Sequence, residues 1–126
     1  MASPKLNLPE RTLTPGDLQD CPVIALSQET FHHASIEDWF HSGNAHCLQI
    51  DTCKSLGVAA SLAASGLGVT LLPVKCFQVD LALDRLRIID ATPVFPRIKF
   101  MATCARNSFN RLTRRVALLA QQVSDY

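Results

Sequence analysis

This sequence lacks long apolar runs, net charge and closely spaced cysteine pairs. No stretch approaches the roughly 18 apolar residues that suggest a membrane span, and the first residues do not contain the apolar core of a signal peptide. A net charge of +1 gives no general reason to bind nucleic acids or anionic membranes. The five cysteines contain no C-x-x-C pair, which favours free thiols in a reducing compartment. We therefore predict a cytoplasmic protein.

Signatures of catalysis, metal binding and nucleotide binding are missing as well. The sequence contains no G-x-S-x-G motif and no Walker loop. Its four histidines include no pair four residues apart on a helix with a third fixed ligand, as a zinc site would require. Gly66-Leu67-Gly68 ends a predicted helix, whereas a dinucleotide fingerprint opens one. We predict no enzymatic activity, no cofactor and no metal.

What is present indicates one globular α/β domain. The 126 residues are 48% apolar and 18% charged, enough for a core without disulfide or metal support. Apolar runs of strand length alternate with helical patterns, which favours a doubly wound, mainly parallel sheet. Strands are predicted at residues 21–26, 47–50, 69–72, 86–90 and 97–102.

Helix starts are predicted from capping residues. Thr14 precedes Pro15 and caps a single turn, Thr30 caps the next helix, and Asp51 or Thr52 caps a long Ala-rich helix. A short helix is expected at residues 74–83. An amphipathic helix at 109–124 follows a cap at 107–108, with its apolar residues spaced three and four apart. Its arginines are interpreted as a solvated face rather than a nucleic-acid surface.

The stretch 48–73 carries the strongest family resemblance. It contains a short strand, Asp51-Thr52, an Ala-rich helix, a Gly-Leu-Gly turn and an apolar strand ending in Leu-Pro. An Asp-Leu turn, a P-x-I-x-L strand at 22–26 and Trp39 in the first long helix precede it in the order that the family shows. From about Leu13 to Val123, the chain resembles the effector-binding domain of LysR-type transcriptional regulators.

The resemblance implies one lobe of a type 2 periplasmic-binding-protein-like fold. Residues 1–11 contain two prolines and few apolar residues, so they are expected to be a disordered leader without a core to join. The resemblance makes 12–104 the second effector-binding lobe. Residues 105–126 would form the C-terminal helix, which returns to the first lobe in an intact regulator. The winged helix-turn-helix of the family is expected to be absent. A homodimer without direct nucleic-acid binding or membrane contact is also implied.

The family binds small effectors, often carboxylates or other anions, in the cleft between its lobes. Turns after parallel strands lead into helix N-termini, whose N–H groups suit such a ligand. The residues expected to line the cleft are Ser27, Gln28, Thr30 and Thr52, followed by Gly68 and Phe100. The alternative that Thr30, Asp51 and Thr52 act only as helix caps stays open.

Two other functions are compatible with the sequence. Cys53 falls in the first turn of the predicted long helix, where the helix dipole favours a thiolate, as in a redox sensor. An inert small residue packed at a helix start explains the same position. Alternatively, the chain is a truncated interaction fragment that dimerises through the apolar stripe of its last helix and binds no effector.

Overall fold

The computed structural model describes residues 1–95 and 111–123. The chain divides into two compact units, Met1–Phe95 and Pro96–Tyr126. The first unit holds three strands, β1 (Val23–Leu26), β2 (Ile50–Cys53) and β3 (Val69–Thr70), which form a parallel sheet in the order β2-β1-β3. The helices of this unit are α1 (Pro15–Leu18), α2 (Phe31–Ser42), α3 (Leu56–Ala64) and α4 (Gln78–Ala82), the last preceded by a 3-10 turn at Val74–Phe77.

The two faces of the sheet are covered by different helices, which confirms the predicted doubly wound arrangement. Alternate residues of a strand point to opposite faces. Val23 and Ala25 pack in a buried cluster with Trp39 and other side chains of α2. Ile24, which lies between them, packs instead against the buried alanines of α3, Ala59, Ala60 and Ala63.

The starts of two helices were predicted correctly. Thr14 and Asp17 form a capping box around α1, with Pro15 in the first turn. Thr30 caps α2, since its hydroxyl accepts a hydrogen bond from the backbone N–H of His33. The short helix after Pro73 is also confirmed.

The prediction for the second strand and its helix was wrong by several residues. Strand β2 covers Ile50–Cys53 rather than residues 47–50, and α3 is capped by Ser55 rather than by Asp51 or Thr52. Pairing with β1 sets the end of β2, because the register of the two strands places Leu26 opposite Cys53. As β2 is the edge strand of β2-β1-β3, its polar residues extend the ladder while remaining exposed.

The expectation that residues 1–11 have no core to join was wrong. Ala2 is fully buried, and its backbone exchanges two hydrogen bonds with Arg87. Met1 likewise exchanges two hydrogen bonds with Thr70, so the first residues lie along the free side of β3. The segment joins the fold through backbone pairing with distant residues and through Ala2, with Leu6 and Leu8 packed against the same core cluster, and its own composition does not reveal these partners.

The strand predicted at residues 86–90 is not formed. Arg87 makes only an isolated antiparallel bridge to Ala2, and Ala91 makes an isolated parallel bridge to Leu13. The segment therefore pairs one residue at a time with two different parts of the chain, which leaves no continuous ladder.

The second unit contains α5 (Arg111–Val123), in agreement with the predicted final helix. Its exposed apolar side chains include Leu112, Val116, Leu119 and Val123. The strand predicted at 97–102, the cap at 107–108 and the domain boundary at 104/105 lie outside the described residues.

Candidate functional site

The carboxyl edge of the parallel sheet is the candidate binding site. Leu26 and Cys53 are register partners at the ends of β1 and β2, so the segments that follow them leave the sheet side by side. One leads into α2 and the other into α3. Two helices therefore begin at the same edge, and each presents first-turn N–H groups and the positive end of its dipole there.

The turn between β1 and α2 is held by Thr30. Its hydroxyl donates to the carbonyl oxygen of Ser27 at 2.7 Å and accepts from the N–H of His33 at 3.3 Å. Thr30 is therefore engaged as a cap. Ser27 and Gln28 are exposed, and their side chains make no hydrogen bond within the described part of the chain. These two are the uncharged side chains of the turn that can reach a ligand without breaking a structural contact.

The turn between β2 and α3 contains Lys54 and Ser55, neither of which the sequence indicated as a site residue. Ser55 caps α3, accepting a hydrogen bond from the N–H of Val58 at 3.2 Å. Lys54 is exposed and places a positive charge between the strand end and the helix start. The serine before the apolar run Leu-Gly-Val could have indicated this cap, but Thr52 offered the same signal three residues earlier.

Thr52 and Cys53 lie in β2 itself. Thr52 is exposed and stands opposite Ala25, one residue before the strand ends. Cys53 ends the strand, and its thiol donates to the carbonyl oxygen of Ser55 at 3.4 Å. The prediction that Cys53 lies in the first turn of a helix was wrong. The helix dipole therefore gives no reason to expect a reactive thiolate at Cys53.

Gly68 lies at the opposite end of the sheet from Ser27, Gln28, Thr30 and Thr52. It precedes β3, and a Cβ atom added to it would lie 2.4 Å from the carbonyl oxygen of Pro22, just before β1. The glycine permits this close backbone approach, so its role here is packing rather than ligand contact. Phe100 lies outside the described residues.

His32 lies beneath the carboxyl edge and is the third residue that the sequence did not indicate as a site residue. Its side chain is buried, with Nδ1 3.2 Å from the backbone N of Leu26 and Nε2 2.8 Å from the carbonyl oxygen of Leu71. Because the Leu26 N–H must donate, Nδ1 is the acceptor, and Nε2 carries the proton given to Leu71. Burial lowers the pKa of His32, and the bond to Leu71 partly opposes this effect.

The other histidines are engaged elsewhere. His33 is buried and its Nδ1 lies 3.3 Å from Glu37, one helical turn along α2. His41 and His46 pack edge to face at the far end of that helix. In residues 1–95 and 111–123, no three His, Cys, Asp or Glu side chains are grouped closely enough to hold a metal ion.

A cavity of about 360 Å³ lies on the sheet face that α2 covers, and the segment that follows β3 lines part of it. Its walls are mainly apolar and include Trp39, which stacks on Phe95 with ring centroids 4.8 Å apart. The indole N–H is already used, donating to the carbonyl oxygen of Pro93. The cavity therefore offers an anion little, and the charged, polar edge is the better candidate despite being more open.

Comparison with known proteins agrees with the architecture. None of the helices in the described ranges is long and apolar enough to cross a membrane. No curated protein and no solved structure matches the chain. One family matches over residues 1–125, the LysR substrate binding domain. With nearly the whole chain matched, the protein belongs to the LysR substrate-binding-domain family.

Proposed function

We propose that this chain senses a small anion at the carboxyl edge of its sheet and serves a LysR-type transcriptional regulator. The observation that carries the proposal is the start of α2 and α3 at one edge in a chain of a ligand-sensing family. The anion would be a carboxylate or a group of similar charge. Ser27, Gln28 and Thr52 would contact it, and Thr30 would hold the turn.

Electrostatics favours an anion at this edge. Helix N-termini combine unsatisfied N–H groups with a positive dipole end. Ser55 satisfies one such group in α3, and Thr30 satisfies one in α2. Lys54 adds a full positive charge, whereas Glu29 in the turn after β1 opposes it. The balance favours a ligand held near the start of α3 and away from Glu29.

Binding would act on transcription by shifting a conformational equilibrium of the regulator. The DNA contacts would be made by a domain other than this one, and no chemical step would occur at the edge. Effector sensing of this kind fits a cytoplasmic location. Cys21, Cys47 and Cys53 are free thiols, which agrees with a reducing compartment.

The proposal can be tested by titrating the protein with benzoate, succinate and phosphate while recording ¹H–¹⁵N NMR spectra. Because Ser27, Gln28 and Thr52 are solvent-exposed, we expect weak binding, with a Kd on the order of 1 mM. Amide shifts should concentrate at residues 27–31 and 54–58. Shifts centred on the amino end of the sheet, or tight binding of an uncharged compound alone, would contradict the proposal.

Two isosteric substitutions sharpen the test. Gln28→Glu adds a negative charge at the carboxyl edge, and one unit charge at about 4 Å in water changes binding by about 1 kcal/mol, or about fivefold in Kd. Gln19→Glu makes the same change at the other end of the sheet, where the Gln19 carbonyl accepts from Leu48 just before β2. Equal loss of binding in both variants would show that only overall charge matters.

Self-association through α5 is a second candidate function. The exposed residues Leu112, Val116, Leu119 and Val123 recur at four-, three- and four-residue spacing, as in a helix-pairing seam. We propose that this stripe supports a homodimer. Light scattering should give a dimer for the wild type and a monomer for Leu119→Glu. Gln121→Glu, which adds the same charge off the stripe, should remain dimeric, and a monomeric wild type would remove this candidate.

A further inference from the structure

His32 occupies a position that a backbone hydrogen bond would otherwise fill. Strands β1 and β3 are parallel, with Val23 opposite Val69 and Ile24 opposite Thr70. Thr70 directs its N–H and carbonyl to Met1, so the backbone groups of its neighbour Leu71 face β1. In this register, the next bond of the ladder would run from the Leu26 N–H to the Leu71 carbonyl.

The imidazole lies between these two groups. It accepts from the Leu26 N–H at 3.2 Å on one side and donates to the Leu71 carbonyl at 2.8 Å on the other. Both groups thereby keep a hydrogen bond, while the strands are held a ring's width apart. The separation falls between β1 and β3 in a β2-β1-β3 sheet, the topological switch point at which doubly wound folds bind ligands.

We propose that His32 is a positioning residue that holds the crevice between β1 and β3 open, and that its protonation releases β1 from this contact. A proton taken from solvent onto Nδ1 turns that atom into a donor, which cannot accept from the Leu26 N–H. The bond to Leu71 survives, because Nε2 keeps its proton. Protonation therefore frees Leu26 from the imidazole while Leu71 stays bound to it. This change does not depend on which ligand the carboxyl edge binds.

Several titratable groups surround the imidazole. On α2, His33 lies next to it in sequence, disfavours its charge, and is itself paired with Glu37. From the β3 side, the Met1 amino group donates to the carbonyl of Thr70, the residue before Leu71. Burial lowers the pKa of this amino group from 8.0 to about 6. Met1 therefore titrates in a neighbouring pH range, and the test must separate the two.

The direction of the pH effect follows from linkage. The pKa of His32 is lowered in the folded protein, so the unfolded chain takes up a proton first as the pH falls. The neutral imidazole of His32 makes its full contribution to the stability of the folded protein above about pH 6.5. This contribution is lost as the pH drops from there towards the folded-state pKa, and the unfolding equilibrium constant rises by up to about tenfold per pH unit.

NMR titration of the whole chain tests the proposal at single residues. The ring nitrogens of His32 should report the Nε2–H tautomer at neutral pH. The amide signal of Leu26 should then shift with the same midpoint as the imidazole, below 6.5. A Leu26 amide that stays constant while His32 titrates, or an Nδ1–H tautomer, would overturn the proposal even if no variant folded.

Two substitutions each retain one of the two hydrogen-bonding groups of His32. His32→Asn keeps an acceptor near the position of Nδ1, and His32→Gln keeps a donor near that of Nε2. Both should lose the stability change that the wild type shows below pH 6.5, while the Met1 contribution between about pH 6 and 8 remains. His46→Gln removes an exposed histidine and should retain the wild-type profile. An unchanged acid profile in both His32 variants would refute the proposal.

Discussion

Gly68→Ala is the substitution whose outcome the backbone geometry constrains most directly. The added Cβ would lie 2.4 Å from the carbonyl oxygen and 3.0 Å from the carbonyl carbon of Pro22. Both are backbone atoms directly before β1, so no side-chain rotation relieves the contact. The Val69 N–H also donates to that same carbonyl at 2.9 Å, which ties the two segments together. The methyl group can be admitted only by separating β3 from β1.

We expect Gly68→Ala to lower the free energy of unfolding by about 2–4 kcal/mol, at or above the usual cost of overpacking a core. Gly57→Ala is the matched control, because a Cβ there meets no atom within 4 Å. Gly57 lies in the first turn of α3, where alanine is the better helix former. The same methyl group should therefore stabilise the protein at Gly57 by up to about 1 kcal/mol.

Urea unfolding followed by far-UV circular dichroism measures both changes on one scale. The midpoint should fall for Gly68→Ala and rise slightly for Gly57→Ala, with similar slopes if both unfold in one step. Equal midpoints for Gly68→Ala and the wild type would refute the argument, since they would mean that β1 and β3 do not approach as closely as the structure shows.

Two further predictions concern a helix cap and the core. Ser55→Ala should lower the free energy of unfolding by about 1 kcal/mol, because the Val58 N–H loses its acceptor. Thr52→Ala should lower it less, because Thr52 is exposed. A lower urea midpoint for Thr52→Ala than for Ser55→Ala would indicate that Thr52 is the cap. Trp39→Phe should cost about 2 kcal/mol, since the bond to Pro93 and part of the buried ring are lost. Thermal melts measure this loss, and an unchanged melting temperature would show that the indole contributes nothing beyond a phenyl ring.

Much of the fold could be predicted because its causes are local. Thr30 caps α2 by accepting from an N–H three residues away, and the Asp17 carboxylate closes α1 by accepting from Thr14, which is also three residues away. The apolar run that becomes β1 is continuous, as expected for a strand covered on both faces. Ser27 and Gln28 were placed at the carboxyl edge for the same reason, since they directly follow that strand.

The rest of the site depended on partners far away in the chain. Thr52 was taken for a cap because serine and threonine suit both caps and edge strands, and only the pairing with β1 decides between them. Once that register was known, Lys54 and Ser55 could be assigned to the candidate site. Gly68 was no longer assigned to it, because Gly68 packs against the backbone of Pro22.

Local sequence patterns were sufficient to predict the family, the alternation of strands and helices, and the starts of α1 and α2. The folded structure was needed to locate the end of β2, the pairing of Met1 with β3, and the position of His32 between β1 and β3. The Met1 contact joins residues 69 positions apart, and the His32 contact to Leu71 spans 39. Local propensity cannot specify such contacts, because they form only after the sheet has brought the segments together.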